Sequence, residues 1–253
     1  MIHIRSRQEI DLMRQAGAIV AETHQLMASM IRPGITTQEL DEAAESLIRS
    51  RGAEPAFKGY GGFPASICSS INHQVVHGIP GQVQLVEGDI ISIDTGVQLN
   101  GYFGDAAKTY PVGQISAQAQ KLIQITRQSF YEGIQFAREG YRLSDISFAV
   151  QQTAESAGFS VVRNYVGHGI GTAMHEEPQI PNYGLPGKGP RLKAGMVLAI
   201  EPMINEGTYH VKVLSDGWTV VTIDGKRSAH HEHTIAITAG DPEILTAIDA
   251  STG

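Results

Sequence analysis

"IDTGVQLNGYFGDAAKTY", residues 93–110, places two aspartates, Asp94 and Asp105, in the arms of a hairpin whose turn is Asn100-Gly101. A two-residue Asn-Gly loop favours the type I′ turn, because its twist matches that of the flanking strands, and the turn dictates the register. Leu99 then faces Tyr102, Val97 faces Gly104, Gly96 faces Asp105, and Asp94 faces Ala107. Side chains alternate between the faces of a strand, so 94, 96, 105 and 107 share one face. The two carboxylates lie diagonally across it, roughly 7–8 Å apart at the backbone and closer at their tips. Converging carboxylates in a half-buried sheet repel each other: either one holds a proton or a cation lies between them.

The strand that leads into this hairpin has a second copy. "LVEGDIISID" (85–94) aligns with "LKAGMVLAIE" (192–201), setting Ile90 over Val197, Ile91 over Leu198, Ile93 over Ile200, and Asp94 over Glu201. Helical patterns precede each copy. Ile10, Met13, Gly17, Val20 and Met27 follow helical spacing across 7–30, and a second helix enters through the capping-box pattern Thr36-Thr37-Gln38-Glu39 and leaves at Gly52. Residues 117–138 read as a third helix, and Ser144-Asp145 opens a fourth that closes at Gly158. "RPGITTQEL" (32–40) even matches "REGYRLSDI" (138–146). The expectation is one α/β (α+β) domain over 1–253. Its two related halves, roughly 1–113 and 114–253, would share a central, mostly antiparallel sheet with helices on its outer face. The Pro- and Gly-rich stretch "PQIPNYGLPGKGP" (178–190) reads as a surface loop and the tail, 238–253, as peripheral.

Composition narrows the function classes. With 253 residues, 42% of them hydrophobic and 18% charged, the chain can bury a sizeable core. A net charge of −7 without a long basic run argues against nucleic acid as a specific partner. A lone cysteine, Cys68, excludes an internal disulfide and a four-cysteine zinc site. "MIHIRSRQEIDLMRQAG" carries charges at 5, 7, 9 and 11 where a secretory signal would be apolar, and no apolar run approaches the ~20 residues of a membrane span. A cytoplasmic protein with no membrane partner is expected.

An approximate two-fold axis relating the halves would bring Asp94 and Glu201 face to face. Asp105 joins them from the hairpin, Glu232 from the last strand, "HHEHTIAIT" (230–238), and His168 from "VGHGIG" (166–171). Four carboxylates and an imidazole suit a pair of divalent cations roughly 3.5–4 Å apart, and without cations such a buried cluster costs roughly several kcal/mol per ion. His77 in "VVHGIPG" and His175 in "GTAMHEEP" sit beside turn residues, where an imidazole can reach a substrate carbonyl or amide. His73, His210, His230, His231 and His233 lack such context and read as structural or solvated.

Five motifs, "SINHQVVHGIP" (70–80), "GDIISIDTGVQLNGYFGDAAKTYPVG" (88–113), "GHGIGTAMHEEP" (167–178), "GMVLAIEPM" (195–203) and "DGWTVVTIDGKRSAHHEHTIAIT" (216–238), resemble those of type I methionine aminopeptidases of the pita-bread fold. The resemblance implies metal ligands at Asp94, Asp105, His168, Glu201 and Glu232, holding two divalent ions (Co, Mn, Fe or Zn). It further implies removal of the initiator methionine from nascent chains by metal-activated water. Glu201 would move the proton, His175 would polarise the scissile carbonyl, and His77 would hold the next amide. Tyr60, Phe63, Cys68, Met174 and Trp218, with Phe57, would line the methionine pocket. Val76 stands where many relatives have cysteine, and Met174 where phenylalanine is frequent, which implies altered thiol sensitivity and a reshaped pocket wall. A monomer with transient ribosome association is the corresponding expectation for partners. The competing readings are an X-Pro aminopeptidase or prolidase, and a non-catalytic peptide-binding module of the same fold.

Overall fold

Each helix begins where a side chain can satisfy the free amides of its first turn. The computed structural model describes residues 1–247. Helix α1, Arg7–Met30, is capped by Ser6 and Glu9, and α2, Thr37–Ser50, by Thr36 and Glu39, each pair bonding reciprocally. Helix α3, Ala117–Ile134, starts at Ser116, and α4, Leu143–Ser156, starts where the Asp145 carboxylate accepts the Arg142 amide at 2.8 Å. The third helix is therefore shorter than its sequence pattern. Two tight turns, Phe136 N to Gly133 O and Ala137 N to Ile134 O, fold Phe136 and Ala137 back into the core that receives Ile134.

The hairpin has the expected register throughout. Strand β1, Cys68–Ile71, lies antiparallel to β2, Ile90–Leu99, which pairs with β3, Tyr102–Pro111; Gly96 faces Asp105 and Asp94 faces Ala107. The second half uses β4, Gly167–Gly169, β5, Glu176–Ile180, β6, Val197–Ile200, β7, Met203–Asn205, β8, Ser228–His230, β9, His233–Ala236, and β10, Glu243–Ile244. One antiparallel sheet runs β10-β9-β6-β4-β5, and β7 pairs with β8. The expected single strand over 230–238 is thus two strands. The chain breaks at His231-Glu232 because the His231 amide bonds to Pro202 O, while Glu232 exchanges backbone hydrogen bonds of 2.8 and 3.3 Å with Ala107 of β3. That exchange joins the two halves.

Helices α1 and α2 back the hairpin, and α3 and α4 back the second half, with Phe130, Ile146, Leu198, Ile200 and Ile235 in one buried cluster. Another cluster gathers Met13, Phe63 and Cys68 from the first half with Val197, Ala199 and Ala236 from the second. Two expectations are corrected here. Residues 178–180 are strand, not loop: Pro178 and Ile180 are buried in alternation with Glu177 and Gln179, and proline is tolerated because β5 is an edge strand. The start of the tail is core, since β10 pairs with β9, Leu245 and Thr246 are buried, and the Leu245 carbonyl occupies the space that a side chain on Gly17 would need. The remainder of that tail, 248–253, lies outside the described residues.

Candidate metal centre

Five elements deliver the acidic cluster. Asp94 and Asp105 come from β2 and β3, His168 from the middle of β4, Glu201 from the residue after β6, and Glu232 from the break between β8 and β9. All five line one cavity of about 200 Å³. His168 Nε2 lies 3.7 Å from Asp105 Oδ2 and 3.6 Å from Glu201 Oε1. Its Nδ1 donates to the carbonyl of Gly169 at 2.9 Å, which leaves Nε2 unprotonated with its lone pair toward the carboxylates. Gly167 and Gly169 make this placement feasible. A Cβ on Gly167 would stand 2.4 Å from the Ala199 carbonyl oxygen, and one on Gly169 2.3 Å from that of Glu177, so only glycine lets β4 pass between β6 and β5.

Two sets of donor atoms converge closely enough to share an ion each: Asp105, His168 and Glu232, and Glu201, His230 and Glu232. Glu232 belongs to both. Asp94 is in neither set, yet it lines the same cavity and its Oδ1 is buried without a partner, as are Asp105 Oδ1, Glu232 Oε1 and His230 Nε2. Orphaned atoms of this kind are costly unless a ligand satisfies them. The protonation equilibria agree. Burial pushes the Asp94 carboxyl up to about 7 against the pull of His230, with Glu201 adding to the rise. Burial first and the neighbouring carboxylates second hold Asp105 and Glu232 well above the ordinary range, and burial does the same to Glu201. The cluster lacks positive charge, and its mixture of carboxylate and imidazole fits borderline-to-hard divalent cations.

Cation binding must therefore be pH-linked. Burial, then His175, depress His168 to about 4, so it is neutral at pH 7 and releases no proton on ligation, whereas the raised carboxyls must release theirs. Protons win as pH falls. Apparent affinity for Mn²⁺ is expected to drop at least about tenfold per pH unit below about 7, with calorimetry in two buffers reporting net proton release. Affinity constant across that range would contradict this account.

The structure adds His230, which the sequence reading set aside as structural or solvated. Its Nε2 lies 3.6 Å from Glu201 Oε2 and 4.0 Å from Glu232 Oε2. Strand alternation could not have found it, because the chain breaks between 230 and 232. His231 and His233 are buried and point elsewhere.

Aromatic side chains form the remaining walls of the cavity. Phe63 and Trp218 meet edge to face at 5.1 Å, and Phe57, Tyr60 and Cys68 complete the lining. Met174 does not line it; its side chain packs behind, filling with Phe57 the space left by the missing side chain of Gly96. His175 reaches the cavity with its ring 4.3 Å from that of His168 and its Nδ1 2.8 Å from the Tyr60 hydroxyl. The loop before it is held by the Glu176 carboxylate, which accepts from Arg5 and from the amides of Thr172 and Ala173. His77 sits at φ 60, in the left-handed region, between Tyr165 and Trp218. Burial, then His230 and His175, hold His77 down to about 4, and burial lowers His175, which favours the neutral form of both imidazoles. Burial and then Asp94 push the Cys68 thiol well up, so it stays protonated.

A duplicated α/β fold that converges acids and imidazoles on one aromatic-walled cavity defines a metal-dependent hydrolase, and comparison with known proteins gives the same class. Residues 11–239 match the model of metallopeptidase family M24. The chain is 59% identical over 248 residues to a methionine aminopeptidase of Clostridium perfringens, covering 98% of this chain and 100% of the relative, and 58% identical to methionine aminopeptidase 1 of Bacillus subtilis, with the same coverage. Among solved structures, the methionine aminopeptidase of Rickettsia prowazekii superposes with a TM-score of 0.96 at 44% identity, covering 97% of this chain and 100% of that one. The chain belongs to metallopeptidase family M24, in its methionine aminopeptidase branch, and has the pita-bread fold. Divalent metal is accordingly part of its chemistry.

Proposed function

We propose that this centre hydrolyses the peptide bond after an N-terminal methionine, releasing the initiator residue from chains whose second residue is small. One observation carries the reading: orphaned carboxylate oxygens of Asp94, Asp105 and Glu232 meet the unprotonated Nε2 of His168 at an aromatic cavity of about 200 Å³. That is smaller than the roughly 300–1,000 Å³ of most ligand pockets, and it suits one residue at a chain end rather than a segment of polypeptide.

Asp94, Asp105, His168, Glu201 and Glu232 would hold two divalent cations, drawn from Co, Mn, Fe or Zn by availability as much as affinity, and His230 extends the set. When bound, such a pair supplies Lewis acidity that makes a water a nucleophile at neutral pH. Glu201 accepts the proton of that water at a carboxylate oxygen, and the hydroxyl adds to the scissile carbonyl carbon. The same proton then passes to the departing nitrogen as the C–N bond breaks. With Nδ1 of His175 accepting from Tyr60, its Nε2–H is free to donate to the carbonyl oxygen as negative charge builds there. His77 is positioned to bond the following amide, and Tyr60, Phe63, Cys68 and Trp218 exclude water from around the methionine side chain. In this reading residues 1–253 act as one catalytic unit, a cytoplasmic monomer that meets nascent chains at the ribosome.

The deciding experiment compares Met-Gly-Met with X-Pro peptides on Mn²⁺-loaded protein. Cleavage of the first, with release of free methionine, is expected; turnover of X-Pro peptides alone would assign the site to prolidase chemistry, and turnover of neither would leave a binding module.

A further inference from the structure

A second cavity, of about 320 Å³, opens behind the carboxylate cluster on the side of α3. Arg127 and Tyr131 project into it from one face of the helix, Lys108 from β3, and His230, His231 and His233 from around the break between β8 and β9. Among the described residues, no carboxylate lines it. In a chain of net charge −7 this is an unusual concentration of one sign. Neither Lys108 nor Arg127 forms an ion pair among the described residues. Lys108 is largely enclosed, and burial followed by the nearby Arg127 pushes its ammonium below the ordinary value. The Arg127 guanidinium lies over the Tyr131 ring at 5.5 Å, which holds it at the mouth. His231 supplies the independent sign of a ligand: it is 7% exposed, and its Nε2 is buried without a hydrogen-bond partner.

We infer that this cleft binds a polyvalent oxyanion, either free phosphate or the phosphoryl group of a small phosphomonoester. Water could fill a polar space of this volume but would leave two adjacent cations uncompensated. A metal ion is disfavoured by the same two charges. A phosphoryl group accepts from a guanidinium, an ammonium and an imidazole N–H together, and such charge-assisted bonds are the strong ones. Ile123 and Tyr131 provide apolar surface on which the body of an ester would rest. His230 lines this cleft and its Nε2 lies 3.6 Å from Oε2 of Glu201, which lines the carboxylate cavity, so the anion would bind against the back of the metal centre.

The test is calorimetry on the metal-loaded protein with inorganic phosphate and with phenyl phosphate, at ionic strength matched with chloride. Binding at one site per chain is expected. It should weaken about tenfold in Arg127→Gln and again in Lys108→Met, with turnover of Met-Gly-Met unchanged in Arg127→Gln and the His231 ring nitrogens shifting in NMR spectra on addition of ligand. Tighter binding of phenyl phosphate identifies a phosphomonoester, and tighter binding of inorganic phosphate identifies the free ion. No binding by about 10 mM overturns the inference. So does binding of undiminished strength in Arg127→Gln, because the anion would then sit on the metals. Arg127 is exposed, so that variant decides the matter even if Lys108→Met fails to fold.

Discussion

Glu201→Gln is expected to lower kcat/KM for Met-Gly-Met by about 10³-fold, the range associated with removing a general base from a hydrolytic site. The amide is nearly isosteric, so the packing around β6 survives, but it removes a proton acceptor and one negative charge. The two Glu201 oxygens face imidazole nitrogens, Oε1 3.6 Å from His168 Nε2 and Oε2 3.6 Å from His230 Nε2, so the amide must also present an N–H toward one imidazole. Weaker cation binding is part of the expected result. Elemental analysis of the assayed sample separates the two effects: a variant that retains its metals and loses turnover isolates the proton-transfer role. Full activity in such a sample would refute that role.

Gly169→Ala is expected to damage both stability and metal binding, although it adds one methyl group. The new Cβ would lie 2.3 Å from Glu177 O and 2.7 Å from Glu177 C, both backbone atoms of β5, while β6 pairs with β4 on its other side. Neither neighbour is a side chain that can swing away, so β4 itself must move, at a cost near the upper end of the about 1–3 kcal/mol typical of overpacking. His168 is the preceding residue, and its tautomer is set by the Gly169 carbonyl. A displacement near 1 Å at such a position costs about 10²-fold in rate. Thermal unfolding with and without Mn²⁺ checks this: the variant should melt lower and gain less from the metal than the parent protein. An unchanged melting temperature would show that β4 has slack the structure does not suggest.

Much of the architecture was legible because it rests on local rules. The Asn100-Gly101 turn dictated the pairing of ten residues on each side, and side-chain alternation then placed Asp94 and Asp105 on one face. The capping pattern at Thr36 and the patterns opening at 7 and 117 each mark a helix start within a residue. The alignment of 85–94 with 192–201 linked Asp94 to Glu201 without any knowledge of which strands pair.

The parts that were not legible depend on segments distant in the chain. His230 looked like one of several strand histidines until the exchange of hydrogen bonds between Ala107 and Glu232 broke the strand and turned His230 toward Glu201. Leu245 became core because Gly17 leaves its carbonyl a place to sit, 228 residues away in the numbering of the two contacts. Met174 moved behind the cavity wall for a similar reason, the gap at Gly96. The amino-acid sequence by itself determined the hairpin, the helix starts, the duplicated strand and the kinds of ligand on offer, since each follows from spacing within a few residues. Only the tertiary structure decided which imidazoles face the carboxylates, which aromatic and sulfur side chains reach the cavity, and that a cationic cleft lies behind it, because those outcomes are set by how close separate backbones can approach.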